Sequence, residues 1–259
     1  MTTEDPRKVY WNDKYVKYWR ARVEEAGTGE SAVVHGDART EDDTVYESIF
    51  AATPFLPGNL LDVGCAWGRM FPIYHAQGAY VSGVDISFAM IKAAREQWAD
   101  NPAVDTLQES CAEQLPFTAG SFDNIVCLAT FDATYQHEAM TEYLRVTRPG
   151  AHIYITGKNT RYCADDEAAI AAEIGARGKG HPNYFTRTST LIKMMAEQGH
   201  ELLTAYYFPR RGDFAAMNYV STPPDRFYEY FLIFRRGDTY APVSECSDLY
   251  SETFIEMKG

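Results

Sequence analysis

A glycine-rich turn and a later carboxylate are the residues of this chain whose types and spacing could do chemistry. The turn runs from Asp62 to Gly68 with the sequence DVGCAWG, and Asp85 ends another apolar run, at the distance of about 20 residues typical of nucleotide-binding folds. Glycine permits tight turns and close approach of the backbone to a ligand. A carboxylate accepts hydrogen bonds from the two hydroxyls of a ribose. The pattern therefore predicts a nucleoside-containing ligand.

The elements around this turn must bring these residues together. From Asn59 onward, short apolar runs alternate with helical segments, and this alternation predicts βαβ units with a parallel sheet. Two late apolar runs without a long helix between them predict an antiparallel pair at the sheet edge. Strands are expected near residues 60–63, 80–85, 104–108, 122–128, 151–156, 200–208 and 227–235. We expect an α/β fold with a doubly wound, mostly parallel seven-stranded sheet, an antiparallel edge strand and N-terminal helices that form a cap.

Helix signals occur before the first predicted strand and also between the strands. An aromatic and charged stretch over residues 7–25 and a second stretch over 41–52 predict two N-terminal helices, while Ser87 occupies an N-cap position ahead of a helix through Trp98. In a doubly wound sheet, ligands bind beyond the carboxyl ends of the strands. The glycine-rich turn and Asp85 both lie at such ends.

The spacing of the glycines bears on which nucleoside is bound. A dinucleotide-binding turn calls for G-x-G-x-x-G, whereas this turn reads G-x-A-x-G, with Met70 two positions after Gly68. The spacing therefore argues against a nicotinamide-dependent dehydrogenase.

Four segments, in order over roughly residues 59–205, resemble the motifs of class I S-adenosylmethionine-dependent methyltransferases. These segments read LLDVGCAWGR, GVDIS, CAEQLPFTAGSFDNIVCLAT and LRVTRPGAHIYIT. The resemblance implies S-adenosyl-L-methionine as cofactor and S-adenosyl-L-homocysteine as product. It also implies an N-terminal helical cap or lid over residues 1–57, a cofactor-binding domain over 58–236 with an insert at about 160–185, and a C-terminal tail over 237–259.

Residues that match the family's motifs are expected to contact the cofactor. Asp85 takes the ribose-binding position, and Met90 falls where relatives pack an apolar side chain on adenine. Ala66 replaces the family's middle glycine, and Cys111 replaces an adenine-contacting aspartate, so recognition of the adenine amine is left to Glu113 or to backbone groups at Ala112. The expected cofactor-binding residues are Trp11, Tyr18, Asp62, Gly64, Cys65, Ala66, Gly68, Asp85, Ile86, Met90, Cys111, Ala112, Glu113 and Leu128.

The family resemblance also implies where an acceptor would bind. Its pocket would combine the aromatic N-terminal helix, the loop after the fourth strand and the insert after the fifth. A hydroxyl acceptor benefits from a positioned base, for which Asp132 and His181 are the candidates; each has an alternative interpretation as an ordinary loop residue. We expect no metal site. Trp67 is interpreted either as packing under the loop or as part of the cofactor wall.

Charge and cysteine usage narrow the class of protein. The formal net charge is -12 and the pI about 4.9, which disfavours nucleic acid because binding to phosphates needs a cationic surface. Five cysteines without a C-x-x-C pair indicate a reducing compartment. The N-terminal residues lack a signal-peptide pattern, and no apolar run approaches the ~20 residues of a membrane helix. We expect a cytoplasmic protein without a membrane or nucleic-acid partner; the oligomeric state is not predicted.

The leading hypothesis is an O- or N-methyltransferase that acts on a small-molecule acceptor such as a metabolite, a sugar or a natural product. A lipid-modifying enzyme similar to cyclopropane fatty acid synthases is an alternative, because GCAWGR resembles their turn. A second alternative is a cofactor-binding regulatory subunit that has no catalytic activity.

Overall fold

A computed structural model describes residues 5–15, 41–181 and 183–258 of the chain. A central sheet carries the first five strands in the spatial order β3-β2-β1-β4-β5, all parallel. These strands are β1 (Asn59–Val63), β2 (Tyr80–Asp85), β3 (Val104–Glu109), β4 (Phe122–Cys127) and β5 (Thr147–Asn159). The order reverses between β1 and β4, and this reversal is the place where ligands bind in doubly wound sheets.

The far side of the sheet contains the antiparallel strands. β8 (Glu229–Arg235) runs antiparallel to β5 and to β7 (Glu201–Phe208), which forms the edge. Two further strands of two residues each, β6 (Phe185–Thr186) and β9 (Ser247–Asp248), extend the sheet beyond the end of β5. The α/β, mostly parallel fold is confirmed, but the sheet has nine strands rather than seven. Two-residue strands have no alternation that a sequence could show.

Helices cover both faces of the sheet. The N-terminal segment, residues 5–15, consists of α1 (Pro6–Val9) and a π-helical turn (Tyr10–Tyr15). The expected helix over 7–25 is described only up to residue 15. The remaining helices are α2 (Glu41–Ala52), α3 (Phe71–Ala76), α4 (Phe88–Trp98), α5 (Gln136–Val146), α6 (Glu167–Gly178), α7 (Thr188–Glu197) and α8 (Glu252–Lys258).

Alternate residues of the strands supply two apolar cores, one on each face of the sheet. In β4, Ile125 and Cys127 join one core, whereas Val126 joins the other. Both faces are therefore buried, as a parallel sheet requires. The buried β4 ends at Cys127, so the segment that follows it emerges directly at the carboxyl edge of the sheet.

The C-terminal residues 237–258 are held against the sheet domain. Val243 and Cys246 are buried in the core, and β9 pairs with β6. The Thr253 hydroxyl donates a hydrogen bond of 2.7 Å to the Tyr162 carbonyl oxygen in the insert. The buried residues of this tail are scattered along it, so the sequence of the tail has no regular apolar pattern. The proposed domain boundaries themselves stay a prediction.

Within the described residues, no helix combines the length and apolar character needed to cross a lipid bilayer.

Candidate functional site

The glycine-rich loop that follows β1 is fastened to the neighbouring strand. The N–H groups of Gly64 and Cys65 donate hydrogen bonds of 2.8 and 3.0 Å to the carbonyl oxygen of Val84 in β2. Gly64 and Ala66 have positive φ angles, 80° and 48°. Ala66 is strained there because L-residues with a side chain disfavour the left-handed region by about 1–2 kcal/mol. The loop is thus held in one conformation at the carboxyl end of β1.

Two glycines of the loop are required by close packing. A Cβ on Gly64 would lie 2.4 Å from Cγ2 and Oγ1 of Thr130, in the segment after β4. A Cβ on Gly68 would lie 2.4 Å from Nε1 of Trp98. That indole N–H donates a hydrogen bond of 3.0 Å to the Trp67 carbonyl oxygen. Gly68 is therefore placed against the Trp98 ring.

Asp85 closes the loop from the end of β2. Its Oδ2 accepts a hydrogen bond of 3.0 Å from the Ala66 N–H, and its Oδ1 accepts one of 2.8 Å from the Ser87 N–H. Burial raises the pKa of the Asp85 carboxyl to about 6, although these two hydrogen bonds oppose the rise. A carboxylate has about four acceptor sites, so both oxygens keep capacity for ligand hydroxyls.

Asp62, at the end of β1, is a second buried carboxyl in the same region. Burial raises its pKa to about 7, and the negative charge of Asp85 adds to the rise. The Tyr74 hydroxyl and the Arg69 guanidinium oppose this shift because both favour the carboxylate. Two carboxyls with raised pKa values beside a strained loop are typical of a functional site.

A cavity of about 190 Å³, here called the first cavity, lies beyond the carboxyl ends of β1, β2, β3 and β4. The structure places most of the expected cofactor-binding residues in its lining: Trp11, Asp62, Gly64, Cys65, Ala66, Asp85, Ile86, Met90, Ala112, Glu113 and Leu128. Gly68 and Cys111 are not in the lining, and Tyr18 lies outside the described residues. Trp67 lines the cavity, as do Arg7, Tyr46, Ser87 and Thr130.

The N-terminal segment lies over the first cavity and is anchored there by Arg7. This arginine is buried and forms ion pairs with Asp5 at 2.6 Å and with Glu113 at 2.5 Å. Its guanidinium carbon lies 4.0 Å from the centre of the Tyr135 ring. Burial alone would lower the pKa of Arg7, but Asp5 and Glu113 hold it above its ordinary value. Arg7 is thus a fixed cation that joins the N-terminal segment to the loop after β3.

This contact changes the interpretation of Glu113. Its Oε1 accepts hydrogen bonds from Arg7 and, at 2.6 Å, from the Tyr135 N–H, while its Oε2 accepts from the second Arg7 Nη at 3.3 Å. The carboxylate that sequence analysis offers to the adenine amine is therefore engaged by Arg7. The Ala112 backbone remains the candidate for adenine recognition.

A second cavity, of about 340 Å³, adjoins the first. Tyr46 and Ala129 belong to the linings of both. Ala129 follows closely after the end of β4, has a φ of 49°, and donates its N–H to Thr156 Oγ1 at 2.7 Å. At Ala129, where the two cavities meet, the backbone is therefore strained, and a hydrogen bond to the neighbouring strand β5 holds it in place.

Both candidate bases line the second cavity. Asp132 lies in the turn after β4, is buried, and forms an ion pair of 2.6 Å with Lys158 Nζ. Lys158 also donates a hydrogen bond of 3.1 Å to Asn183 Oδ1. Burial would lower the pKa of Lys158, but the charge of Asp132 holds it above its ordinary value. Asp132 is thus a carboxylate paired with a fixed ammonium group.

His181 lies in the insert, where it meets the N-terminal segment. Its ring is in edge contact with the rings of Tyr10 and Trp11, at centroid distances of 5.0 and 5.1 Å. Since Trp11 lines the first cavity and His181 the second, this aromatic contact spans both. The other histidines that the structure describes, His75, His137, His152 and His200, line neither cavity.

Residues 61–155 match the family described as "Methyltransferase domain". A ubiquinone biosynthesis O-methyltransferase of Pseudomonas aeruginosa is 30% identical over 152 residues, which cover 55% of this chain and 64% of that protein. A malonyl-[acyl-carrier protein] O-methyltransferase of Erwinia pyrifoliae is 34% identical over 103 residues, 38% of this chain and 37% of that protein. The chain thus spans less than two thirds of the length of these curated relatives.

The fold agrees with the family match. An S-adenosylmethionine-dependent methyltransferase from Mesorhizobium loti superposes with a TM-score of 0.59 at 17% identity, covering 76% of this chain and 100% of that one. Residues 61–155 thus match a methyltransferase domain, and the chain has the Rossmann-like fold of the structurally similar methyltransferases. Residues 62–67 and Asp85, which belong to the motifs that carry the sequence resemblance, line the first cavity.

Sequence reasoning missed three charged residues of the site. Arg7 is one of several charged residues in the N-terminal stretch, and nothing in its spacing distinguishes it from the others. Lys158 follows the apolar run of β5 by two residues, and its position at a carboxyl strand end is the available signal. Arg211 lines the second cavity from an irregular loop, where no sequence periodicity could indicate which way its side chain points.

Proposed function

We propose that this protein transfers a methyl group from S-adenosylmethionine to an oxygen or nitrogen atom of a small molecule held in the second cavity. One observation carries the proposal: Tyr46 and Ala129 line both cavities. A ligand in the first cavity would meet a ligand in the second at this junction. That arrangement suits a transfer between two bound molecules.

The residues around the first cavity fit the proposed cofactor. Asp85 has free acceptor capacity on both carboxylate oxygens for ribose hydroxyls. The backbone at Gly64, which has no Cβ, allows close approach to a ligand. Met90 and Leu128 supply apolar surface in the lining for an adenine ring.

Bound S-adenosylmethionine supplies an electrophilic methyl group on a positively charged sulfur. Because the leaving group is already activated, the protein mainly aligns the acceptor and excludes water. The N-terminal segment is suited to exclude water, since Arg7 fixes it over the first cavity and Trp11 lines that cavity. His181 and Tyr10 continue this cover toward the second cavity.

Asp132 is the proposed base for a hydroxyl acceptor. Its carboxylate would take the acceptor's proton as the oxygen attacks the methyl carbon and the sulfur leaves as a neutral thioether. Lys158, which pairs with Asp132 at 2.6 Å, would stabilise negative charge that develops on the attacking oxygen. His181 is the second candidate, because it lines the same cavity. An amine acceptor would only have to arrive neutral. The O-methyltransferase names of the two curated relatives support oxygen as the methylated atom.

Thermal unfolding with S-adenosylhomocysteine, S-adenosylmethionine and NAD tests the cofactor first. A ligand that binds only the folded state stabilises it by about 2.7 kcal/mol at a hundredfold excess over Kd. We expect stabilisation by both sulfur-containing ligands and none by NAD, with the effect lost in Asp85→Ala. Absence of stabilisation by either sulfur ligand would overturn the proposal.

Turnover is tested by release of S-adenosylhomocysteine with a panel of hydroxyl, carboxylate and amine acceptors. Release that depends on an added acceptor supports the transferase function. Tight cofactor binding without release for any acceptor would favour the alternative of a cofactor-binding subunit that has no catalytic activity.

A further inference from the structure

The second cavity has two distinguishable ends. Tyr46 and Ala129 mark the end next to the first cavity, because they line both. Arg211 marks the other end, because it also lines a third cavity of about 160 Å³. Lys158 and His181 line that cavity too, and Lys158 reaches from it to Asp132, the proposed base, at 2.6 Å. An acceptor in the second cavity would therefore present its methylated atom toward Ala129 and its remainder toward Arg211.

The charges at the far end are unequally compensated. Lys158 is paired with Asp132 at 2.6 Å, and Glu229 also favours its charged form. Arg211 differs, since its guanidinium donates a hydrogen bond of 3.1 Å to the neutral hydroxyl of Tyr228. Among the described residues, no carboxylate forms an ion pair with the Arg211 side chain. The carboxylates Asp132 and Glu229 also line the cavity, but the Arg211 guanidinium has an ion pair with neither of them.

Besides the contact of the Arg211 guanidinium with Tyr228, other contacts hold the loop. The loop is fastened by Arg210, whose guanidinium pairs with Asp165 at 2.9 Å, and by the Arg211 main-chain N–H, which donates to Asp166 Oδ2 at 2.9 Å. The two neighbouring arginines thus have different partners. Arg210 pairs on the surface, whereas Arg211 lines the cavity.

Part of the wall of the second cavity is apolar and aromatic. The rings of Tyr46 and Phe214 lie 5.3 Å apart, tilted by 58°, and both residues line the second cavity together with Ala215. Such a wall accepts a flat or apolar molecular body, and a guanidinium binds carboxylate and phosphate groups through paired hydrogen bonds.

We infer that the acceptor is an organic anion, a carboxylate or phosphate on an apolar body, whose anionic group is bound by Arg211. This inference rests on the proposed function, because it assigns the second cavity to the acceptor. Arg211 is then a specificity-determining residue, and the anionic group lies at the end of the acceptor opposite to the methylated atom.

Binding of simple probes to the protein saturated with S-adenosylhomocysteine tests the inference. Calorimetry would compare benzoate and phenyl phosphate with the neutral benzamide. We expect at least one anion to bind about tenfold or more tightly than benzamide, the size expected for a hydrogen bond to a charged group. The better of the two anions identifies the acceptor's anionic group.

Two arginine variants test whether the preference for an anion depends on Arg211. Arg211→Met should weaken binding of the preferred anion by about tenfold or more while leaving the affinity for benzamide and for S-adenosylhomocysteine unchanged. Arg235→Met removes an exposed arginine that pairs with Glu201 and does not line the second cavity, and it should leave all three affinities unchanged.

Equal binding of benzamide and of both anions would overturn the inference, as would an Arg211→Met variant that keeps the anion preference. Either result leaves the proposed function intact, provided that S-adenosylhomocysteine binds. Failure of S-adenosylhomocysteine to bind the unmodified protein would instead overturn the proposed function, and this inference with it.

Discussion

Arg7 and Glu113 form a buried ion pair, with 2.5 Å between Nη1 and Oε1, that joins two parts of the chain separated by 106 positions. One partner belongs to the N-terminal segment and the other to the loop after β3. Both line the first cavity. The ion pair thus links the N-terminal segment to the wall of the first cavity.

Replacing Arg7 by Met should release the N-terminal segment from the wall of the first cavity. Removing one partner of a buried pair costs about 3–5 kcal/mol when the other charge stays buried. The segment can detach and expose Glu113 to water, so local opening should limit the loss. We expect faster amide exchange over residues 5–15, faster release of S-adenosylhomocysteine and a small change in Tm. Unchanged exchange in this segment would contradict the role of Arg7 as an anchor.

Replacing Gly64 by Ala should remove cofactor binding. The new Cβ would lie 2.4 Å from Thr130 atoms at a φ of 80°. Gly78 is the matched control, since it has the same φ of 80° but a Cβ added there would meet no atom within 4 Å.

Both variants place a side chain in the left-handed region, which costs about 1–2 kcal/mol. Only Gly64→Ala adds a steric clash, for which about 1–3 kcal/mol more is expected. Urea unfolding and calorimetry with S-adenosylhomocysteine measure the difference. Equal losses of stability in the two variants would show that the contact with Thr130 is unimportant.

Cofactor affinity should depend on the ionisation of Asp85. Its pKa is about 6, so the carboxylate is ionised above about pH 7 and becomes protonated as the pH falls through 6. We expect the Kd for S-adenosylhomocysteine to rise by up to about tenfold per pH unit below 6. The dependence should disappear in Asp85→Asn, which should bind more weakly at every pH. Asp62→Asn should keep the transition near pH 6, because that transition belongs to Asp85, whereas the pKa of Asp62 is about 7.

The same shift has the opposite effect on the ligand-free protein. Because the pKa of Asp85 is raised from 3.8 to about 6 on folding, the folded state binds more protons than the unfolded chain between these values. Its contribution to the free energy of unfolding therefore falls as the pH rises through this window. Chemical unfolding of the ligand-free protein at pH 5 and pH 8, compared with Asp85→Asn, measures this contribution.

Replacing Asp132 by Asn should reduce turnover and stability for separate reasons. Loss of a general base lowers kcat by about 10²- to 10⁴-fold, while the Lys158 charge left without its partner costs about 3–5 kcal/mol. The double variant Asp132→Asn with Lys158→Met removes both charges and should recover most of the stability without recovering turnover. Recovery of turnover in the double variant would make the pair purely structural.

Much of the fold could be predicted from the sequence because strongly periodic elements decide it. The expected helix over 41–52 matches α2, and the N-cap at Ser87 begins α4, where the Ser87 Oγ accepts the Met90 N–H at 3.3 Å. The two-residue strands could not be predicted, because their pairing depends on tertiary contacts between the insert and the tail.

Some residues of the site could likewise be predicted from the sequence, and others could not. Loop glycines and Asp85 are recognisable because the backbone conformation and strand-end position restrict the residue types there. The partners of Glu113 and Asp132 are not recognisable, since Arg7 and Lys158 reach them across 106 and 26 positions of the chain. The roles of individual residues in binding and catalysis stay predictions that the variants above test.

The two cavities are completed at different points along the chain. Apart from the N-terminal segment and Tyr46, the first cavity is lined by residues 62–134, whereas the second also needs Arg211 and Tyr230. The insert that holds His181 is in turn held by Thr253, nearly at the C terminus. During synthesis on the ribosome, the residues that line the first cavity therefore all emerge before the last residues that line the second. Roughly a hundred positions of chain lie between Thr134, the last residue in the lining of the first cavity, and Tyr230, the last in the lining of the second.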